Sequence, residues 1–214
     1  MRFLPVLAVL PGLLTASDYF AGAMGGVSAL SADARTEGAA PRAFSGYKPE
    51  NGPAALLFAG RHLTEYFSLQ ASYGWNRNDV ALSGLSLVPA QSFELPMRST
   101  IHAGTVEAML YFRNRDSFAR PYLSAGPGIH RLGVSARAPA AVTGSPVLPA
   151  EQFSRTGASL RVAVGIDLRI RDGFCFRYSF AETLQRNGIS SQLRPPGQRN
   201  LANFQNFWGV LWHF

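Results

Sequence analysis

Alternation of apolar and polar residues with a period of two dominates this sequence, and such alternation predicts half-buried β-strands. It is strong in four segments, where large apolar side chains occupy every second position, and fainter in four others. The strong segments are Phe67–Asn76, Leu160–Arg171, Phe174–Phe180 and Phe204–Phe214. The fainter ones are Tyr19–Ala29, Ala54–Arg61, His102–Phe112 and Pro121–Ile129. These eight predicted strands are each near the ~9–11 residues with which a tilted strand crosses a bilayer.

The connections between the predicted strands alternate between short and long. The short ones lie near His62–Glu65, Asn114–Ala119 and Arg171–Gly173, and the long ones at roughly Leu30–Pro53, Arg77–Ile101, His130–Thr156 and Thr183–Leu201. This alternation places tight turns on one rim of an antiparallel barrel and long loops on the other, as in barrels with periplasmic turns and extracellular loops. Because the long connections are rich in Pro, Ser, Gly and Ala, we expect no further packed elements in them.

Two barrel architectures fit the alternation: a soluble barrel around an apolar ligand, and a membrane barrel with an apolar exterior. Eight strands leave an interior just wide enough to fill with side chains. In this sequence the polar face of each strand carries small side chains, whereas the apolar face carries the large residues Phe, Trp, Tyr and Leu. Small side chains fit the narrow interior and large apolar ones the outside, which favours the membrane barrel. Aromatic residues near strand ends would form its interfacial girdles: Tyr66, Phe67, Tyr73, Trp75, Tyr111, Phe112, Phe174, Phe176, Trp208 and Trp212.

Composition and charge support a surface that faces something other than water. Only 15% of the 214 residues are charged, against about 25% in ordinary soluble domains. The formal net charge is +7, but the arginines are scattered without a basic stripe, so we predict no nucleic-acid binding. Outer-membrane lipids are the better-matched partner, including lipopolysaccharide phosphates at Arg-rich loops, because guanidinium binds phosphate in a bidentate manner.

The N-terminal segment predicts export. Arg2 precedes an apolar run from Phe3 to Leu14, and small residues suited to cleavage follow at 15–17, as in a secretory signal peptide. A buried N-terminal strand or helix is a weaker alternative, because Pro5 and Pro11 interrupt the segment. We therefore divide the chain into a signal peptide at 1–17 and an outer-membrane β-barrel domain at 18–214.

Two stretches resemble a known family. The alternating C-terminal strand that ends in Trp212-His213-Phe214 resembles the assembly signal of bacterial outer-membrane proteins. The segment PYLSAGPGIH at Pro121–His130 resembles the fifth-strand motif of small barrels related to outer membrane protein A. The resemblance implies an eight-stranded antiparallel up-and-down transmembrane β-barrel whose Phe214 and Trp212 are read by the outer-membrane assembly machinery. The resemblance does not identify a function, because this family includes passive anchors, narrow pores, adhesins and a few lipid-modifying enzymes.

Residues suited to catalysis or metal binding are few. Lipid A deacylases of this size resemble one another in a His-x-Ser pair, which none of His62, His102, His130 and His213 forms. His102 and His130 are predicted at the outer rim, where a metal or acid–base role competes with the favoured interpretation of plain polar rim residues. We predict no enzyme, no cofactor and no metal site.

The inward-facing charges are the most informative polar residues: Glu107, Arg161, Asp167, Arg169 and Arg177. Charges at membrane depth are costly unless they face a polar, mutually neutralising interior. They fit either a salt-bridged plug, which we favour, or the constriction of a narrow pore. We expect Glu107 to approach Arg161 or Arg177.

The turn near 171–173 allows one contact to be predicted. A three-residue loop pairs Ile170 with Phe174 and leaves Gly173 for the left-handed position that such loops need. Asp167 then lies opposite Arg177 on the interior face, which predicts a salt bridge. The expected protein is a monomeric outer-membrane anchor, structural or surface-interacting, with a plugged polar interior. The alternatives are a low-conductance pore and, less favoured, a lipid-modifying enzyme.

Overall fold

The computed structural model describes residues 18–37, 43–87 and 89–214. The predicted signal peptide at 1–17 lies outside them. Within these ranges the chain forms eleven strands, in order β1 (Tyr19–Leu30), β2 (Asp33–Glu37), β3 (Ala43–Pro49), β4 (Gly52–His62), β5 (Phe67–Leu87), β6 (Ala90–Tyr111), β7 (Ala119–Ala136), β8 (Ala141–Thr143), β9 (Gln152–Arg171), β10 (Phe174–Arg186) and β11 (Asn200–His213). A 3-10 turn at Ser190–Gln192 lies between β10 and β11. None of the described residues belongs to a helix long and apolar enough to cross a membrane.

Eight of the strands close into a ring. Each pairs antiparallel with its neighbours in the order β1, β4, β5, β6, β7, β9, β10 and β11, and β11 pairs with β1 from Phe20–His213 to Leu30–Asn203. Closure matters because it leaves no unpaired backbone groups at a strand edge in the membrane. The predicted fold and the eight predicted strands are confirmed.

The prediction that the long connections hold no packed elements is wrong. β5 and β6 contain 21 and 22 residues, about twice the ~10 that cross a bilayer, and they pair along their whole length from Phe67–Leu110 to Leu87–Ala90. β3 adds to the far half of β5, β2 adds to β3, and β8 pairs with β6. We call β2, β3, β8 and residues 79–98 of β5 and β6 the extracellular extension.

The interior of the ring is bulkier than its Gly, Ala and Ser content predicts. Tyr111, expected in the aromatic girdle, is 1% exposed inside, because odd-numbered residues at this end of β6 face inward. Phe20 and Phe58 are also buried inside. Glycines make room for them, since a Cβ at Gly22 would overlap the Phe58 ring and one at Gly60 the Phe20 ring. The small residues therefore accommodate interior aromatics.

The turn between β9 and β10 differs from the predicted three-residue loop in one pair. Phe174 pairs with Arg171 rather than Ile170, and the register then shifts between Phe174 and Cys175. Gly173 has φ +76°, so it does occupy the left-handed region. A bulge after the tight turn restores the required facing, because a shift of one residue returns apolar side chains to the outer face.

Candidate functional site

The Arg177–Asp167 ion pair lies inside the periplasmic half of the barrel. The two residues are directly opposed across β9 and β10, as the predicted register requires, and are 1% and 2% exposed. Arg177 Nε lies 2.6 Å from Asp167 Oδ1, and Nη2 lies 2.7 Å from Oδ2. This parallel two-bond geometry is the strongest arrangement available to a guanidinium and a carboxylate.

Other strands supply the remaining partners of this pair. Arg177 Nη1 donates to Gln70 Oε1 at 2.7 Å, and the Tyr111 hydroxyl donates to Asp167 Oδ2 at 3.0 Å. The Arg177 guanidinium carbon also lies 4.7 Å from the centre of the Phe58 ring and 4.9 Å from that of Tyr122. We call Arg177, Asp167, Tyr111 and Gln70 the lower layer, which is a buried charge pair with satisfied hydrogen bonds between aromatic rings.

A second layer lies further toward the outside. Arg161 Nε is 3.3 Å from Glu107 Oε1, and the two side chains are 5% and 1% exposed. Glu107 also accepts hydrogen bonds from Ser72, Thr105 and Ser124 at 3.0, 2.9 and 2.8 Å. We call Glu107, Arg161 and these three hydroxyl residues the upper layer. The predicted approach of Glu107 to Arg161 occurs here, whereas Arg177 bonds to Asp167.

Three of the predicted site residues lie away from these layers. Arg169 is half-buried at the periplasmic mouth, where it donates to the Arg115 carbonyl oxygen. Trp212 and Phe214 lie on the outer surface at that end, 52% and 40% exposed, with ring centres 5.4 Å apart. The Phe214 amide donates to the Tyr19 carbonyl at 2.9 Å, so the last residue takes part in closing the ring. Its role as an assembly signal stays a prediction.

The histidines predicted at the outer rim occupy different environments. His102 lies exposed on the outer surface with Nδ1 2.6 Å from the Tyr73 hydroxyl. His130 lies at the same level, because it pairs with Ala103, but its side chain faces the interior and is 1% exposed. Because His130 is an even-numbered residue of β7, it shares the inward face with Ser124. Within the described ranges, no group of three His, Cys, Asp or Glu residues is placed to hold a metal.

An apolar cap above the upper layer was missed by the sequence analysis. Ile189 and Leu193 come from the connection between β10 and β11 and are 0% and 3% exposed. They pack with inward-facing residues of the extension, including Leu82 and Met97. Asn187 Nδ2 donates to the Tyr47 hydroxyl at 2.9 Å, and burial raises the pKa of Tyr47. Two isolated apolar residues in a polar connection were the only signal for this cap.

The family assignment agrees with this architecture. The model described as "Outer membrane protein beta-barrel domain" matches residues 4–208, and the chain belongs to that family. It is a protein of the bacterial outer membrane. No curated protein matches the sequence.

Solved structures of similar fold are distant in sequence. Neisserial surface protein A is 12% identical with a TM-score of 0.53, over 92% of this chain and 97% of that one. The N-terminal β-barrel domain of Pseudomonas aeruginosa OprF is 13% identical with a TM-score of 0.45, over 92% and 98%. Ail, the attachment invasion locus protein of Yersinia pestis, is 10% identical with a TM-score of 0.46, over 91% and 99%. At such identities the likeness concerns the fold alone.

Proposed function

We propose that the protein anchors a β-sheet platform at the cell surface for interaction and that its barrel conducts no solute. The observation that carries the proposal is the combination of a filled interior with strands that continue far beyond the membrane. The proposal includes no catalytic step.

Three successive barriers inside the barrel support the non-conducting part. A solute that entered from the periplasm would have to displace the lower layer, the upper layer and the apolar cap in turn. At the level of Arg161 the described residues enclose a cavity of about 10 Å³, no more than the space of one water molecule. Breaking a buried ion pair is costly, so the layers favour a permanent plug over a gate.

The extracellular extension supports the platform part. Its strands surround an open cleft of about 620 Å³ that is lined by residues including Arg35, Ser45 and Phe93. On the extension, Phe44 and Leu85 are 38% and 42% exposed, although this part of the sheet lies beyond the membrane. Apolar side chains held in water on a paired sheet are typical of interaction surfaces.

Lipid headgroups are the partner that we propose for the boundary between barrel and extension. Arg77 and Arg131 are exposed there, close to Trp75 and His102 in the strand register. Aromatic rings at the membrane interface, followed by guanidinium groups just outside the membrane, suit contact with a layer of lipopolysaccharide phosphates. The assembly machinery remains the partner proposed for Phe214.

Conductance across a planar bilayer tests the proposal. We expect the refolded protein to give no steady conductance steps. The double variant Glu107→Ala with Arg161→Ala removes most of the upper layer but leaves the lower layer and the apolar cap, so it too should give no conductance steps. Arg113→Ala, at an exposed periplasmic position, is the matched control. Reproducible steps from the unaltered protein would favour the low-conductance pore.

A further inference from the structure

The periplasmic mouth of the barrel contains a cavity that the plug and the extension leave unexplained. It measures about 360 Å³ and lies between the lower layer and the periplasmic turns. Its walls come from the ends of β4, β7, β9, β10 and β11, from the turn between β9 and β10 and from the connection between β6 and β7. They include His62, Arg115, Arg120, Arg169 and His213. A cavity of this size suits a small organic molecule.

Arg120 is a buried cation that forms no ion pair among the described residues, and Asp167, which lies directly opposite it on β9, is bonded to Arg177. It is 5% exposed, and its guanidinium carbon lies 4.0 Å from the centre of the Tyr111 ring. One Nη donates to the Glu65 carbonyl oxygen at 3.1 Å, while its buried Nε has no hydrogen-bond partner. A buried guanidinium normally finds an anion, whereas Arg120 lines the cavity without forming an ion pair.

A pair of stacked histidines lies beside it. The rings of His62 and His213 are 5.3 Å apart with an angle of 22° between their planes. His62 is 2% exposed, and its Nδ1 lies 2.6 Å from Ser68 Oγ. The buried Nε2 of His62 has no partner and belongs to the same cavity lining. Two side chains that line the cavity therefore each contain a buried nitrogen without a hydrogen-bond partner.

The buried and half-buried acidic side chains at this mouth already form ion pairs with other arginines. Asp167 is bonded to Arg177, and Arg115 pairs with Asp18 at 2.8 Å and lies 3.9 Å from Glu65. Asp116, Arg171 and Asp172 line only the solvent-exposed edge. Arg120 and Arg169 form no ion pair within the described part of the chain, and both line the cavity.

We propose that this mouth is a binding site for a small oxyanion, a carboxylate or a phosphate group, held by Arg120 and Arg169 with His62 as a further hydrogen-bond partner. Two guanidinium groups can satisfy the oxygens of either group through charge-assisted hydrogen bonds. Since the lower layer closes the barrel above it, the ligand enters and leaves from the periplasm. The site is therefore independent of the extracellular surface and of its partners.

Titration of the refolded protein in detergent micelles tests the proposal. Sodium phosphate and sodium acetate are added separately at constant ionic strength, with chloride as the reference anion, and arginine Nε–H signals are followed by NMR. We expect saturable shifts of the Arg120 and Arg169 signals. Response to phosphate alone assigns the site to phosphate groups, response to acetate alone to carboxylates, and response to both supports a general oxyanion site.

Variants make the test specific. Arg120→Gln should weaken the binding by about tenfold or more, the ratio that corresponds to the loss of one charge-assisted hydrogen bond. Arg113→Gln, at an exposed position outside the cavity lining, should leave it unchanged. Should Arg120→Gln fail to refold, Arg169→Gln at the half-buried position replaces it with the same expectation. Shifts that do not saturate with either anion, or equal weakening by the Arg113 variant, would overturn the proposal.

Discussion

β5 is one continuous strand whose inward face is polar in its lower half and becomes apolar at Val80 and Leu82 in its upper half. In its lower half, outward-facing Phe67 and Leu69 are 52% and 45% exposed and apolar, while inward-facing Gln70 is 5% exposed and polar. In its upper half, inward-facing Val80 and Leu82 are apolar and 2% and 0% exposed. β5 pairs with β6 without interruption through both halves, so the change in side-chain polarity does not alter the backbone pairing.

The surroundings of a strand, and not the strand itself, therefore decide which of its faces is apolar. A strand in lipid exposes apolar side chains and can bury polar ones, whereas a strand in water does the reverse. The level at which the pattern inverts therefore marks the outer boundary of the membrane. In β5 it falls between Trp75 and Val80, where Asn76 and Asn78 are buried with polar neighbours.

The largest effect is expected inside the membrane half. Asp167→Ala leaves Arg177 buried without its counter-ion and should destabilise the barrel by about 3–5 kcal/mol. Asp167→Ala combined with Arg177→Met removes both charges and should be less destabilising than the single change. Urea unfolding in lipid vesicles measures both. Equal or larger losses in the double variant would show that the pair is not a buried charge pair of this kind.

The extension should depend on its interior apolar residues instead. Leu82→Ala removes a fully buried side chain and should cost about 2–5 kcal/mol. Its matched control Leu85→Ala, at a position 42% exposed, should change stability by no more than about 0.5 kcal/mol. Hydrogen exchange of the amides at 79–98 measures this loss of stability even if the extension unfolds independently of the barrel. Similar protection in both variants would contradict an apolar core there.

A charge placed outward should distinguish the two halves. Val106 is 57% exposed on the lipid side of β6, and Val106→Arg should cost about 2–4 kcal/mol near the bilayer midplane. Ser83→Arg, outward on the extension, should change stability by about 0.5 kcal/mol or less. Folding yields in vesicles over a urea series measure the difference. If the two variants lose equal stability, the assignment of the faces fails.

The smallest effect in the purified protein is expected at the C-terminus of the membrane half. Deletion of Phe214 removes two backbone hydrogen bonds to Tyr19 and a partly exposed ring at the end of the strand, so refolding into detergent should change little. In cells the same deletion should lower the amount of protein in the outer membrane, because the terminal strand would no longer be read by the assembly machinery. Normal outer-membrane levels would remove that interpretation.

The sequence predicted the membrane half well and the extension poorly, for one physical reason. Periodicity identifies a strand only while one face stays apolar, and at the membrane boundary both faces of β5 are polar. The run Asn76-Arg77-Asn78-Asp79 therefore has the composition of a loop, although the structure pairs it with β6 throughout. Beyond it Val80 and Leu82 are apolar and face inward, whereas Leu85 and Leu87 are apolar and face outward, so the alternation keeps no single phase there.

The candidate site was predictable only where partners are close in sequence. Asp167 and Arg177 are joined by one tight turn, so the required facing fixed their register without knowledge of the other strands. Tyr111 and Gln70 come from strands far along the chain, and their approach depends on how the ring closes. The apolar cap depends on the path of an irregular connection, which periodicity does not describe.

Site-directed spin labels along the outward face of β5, in a Cys175→Ser background, can locate the level at which this strand leaves the membrane. Labels at Leu69, Ala71 and Tyr73 should be accessible to oxygen dissolved in lipid and protected from a water-soluble nickel complex. Labels at Ala81, Ser83 and Leu85 should show the opposite accessibility, with the crossover between Trp75 and Asp79. Lipid-type accessibility at Ala81, Ser83 and Leu85 would contradict a strand that leaves the membrane and continues as a surface platform.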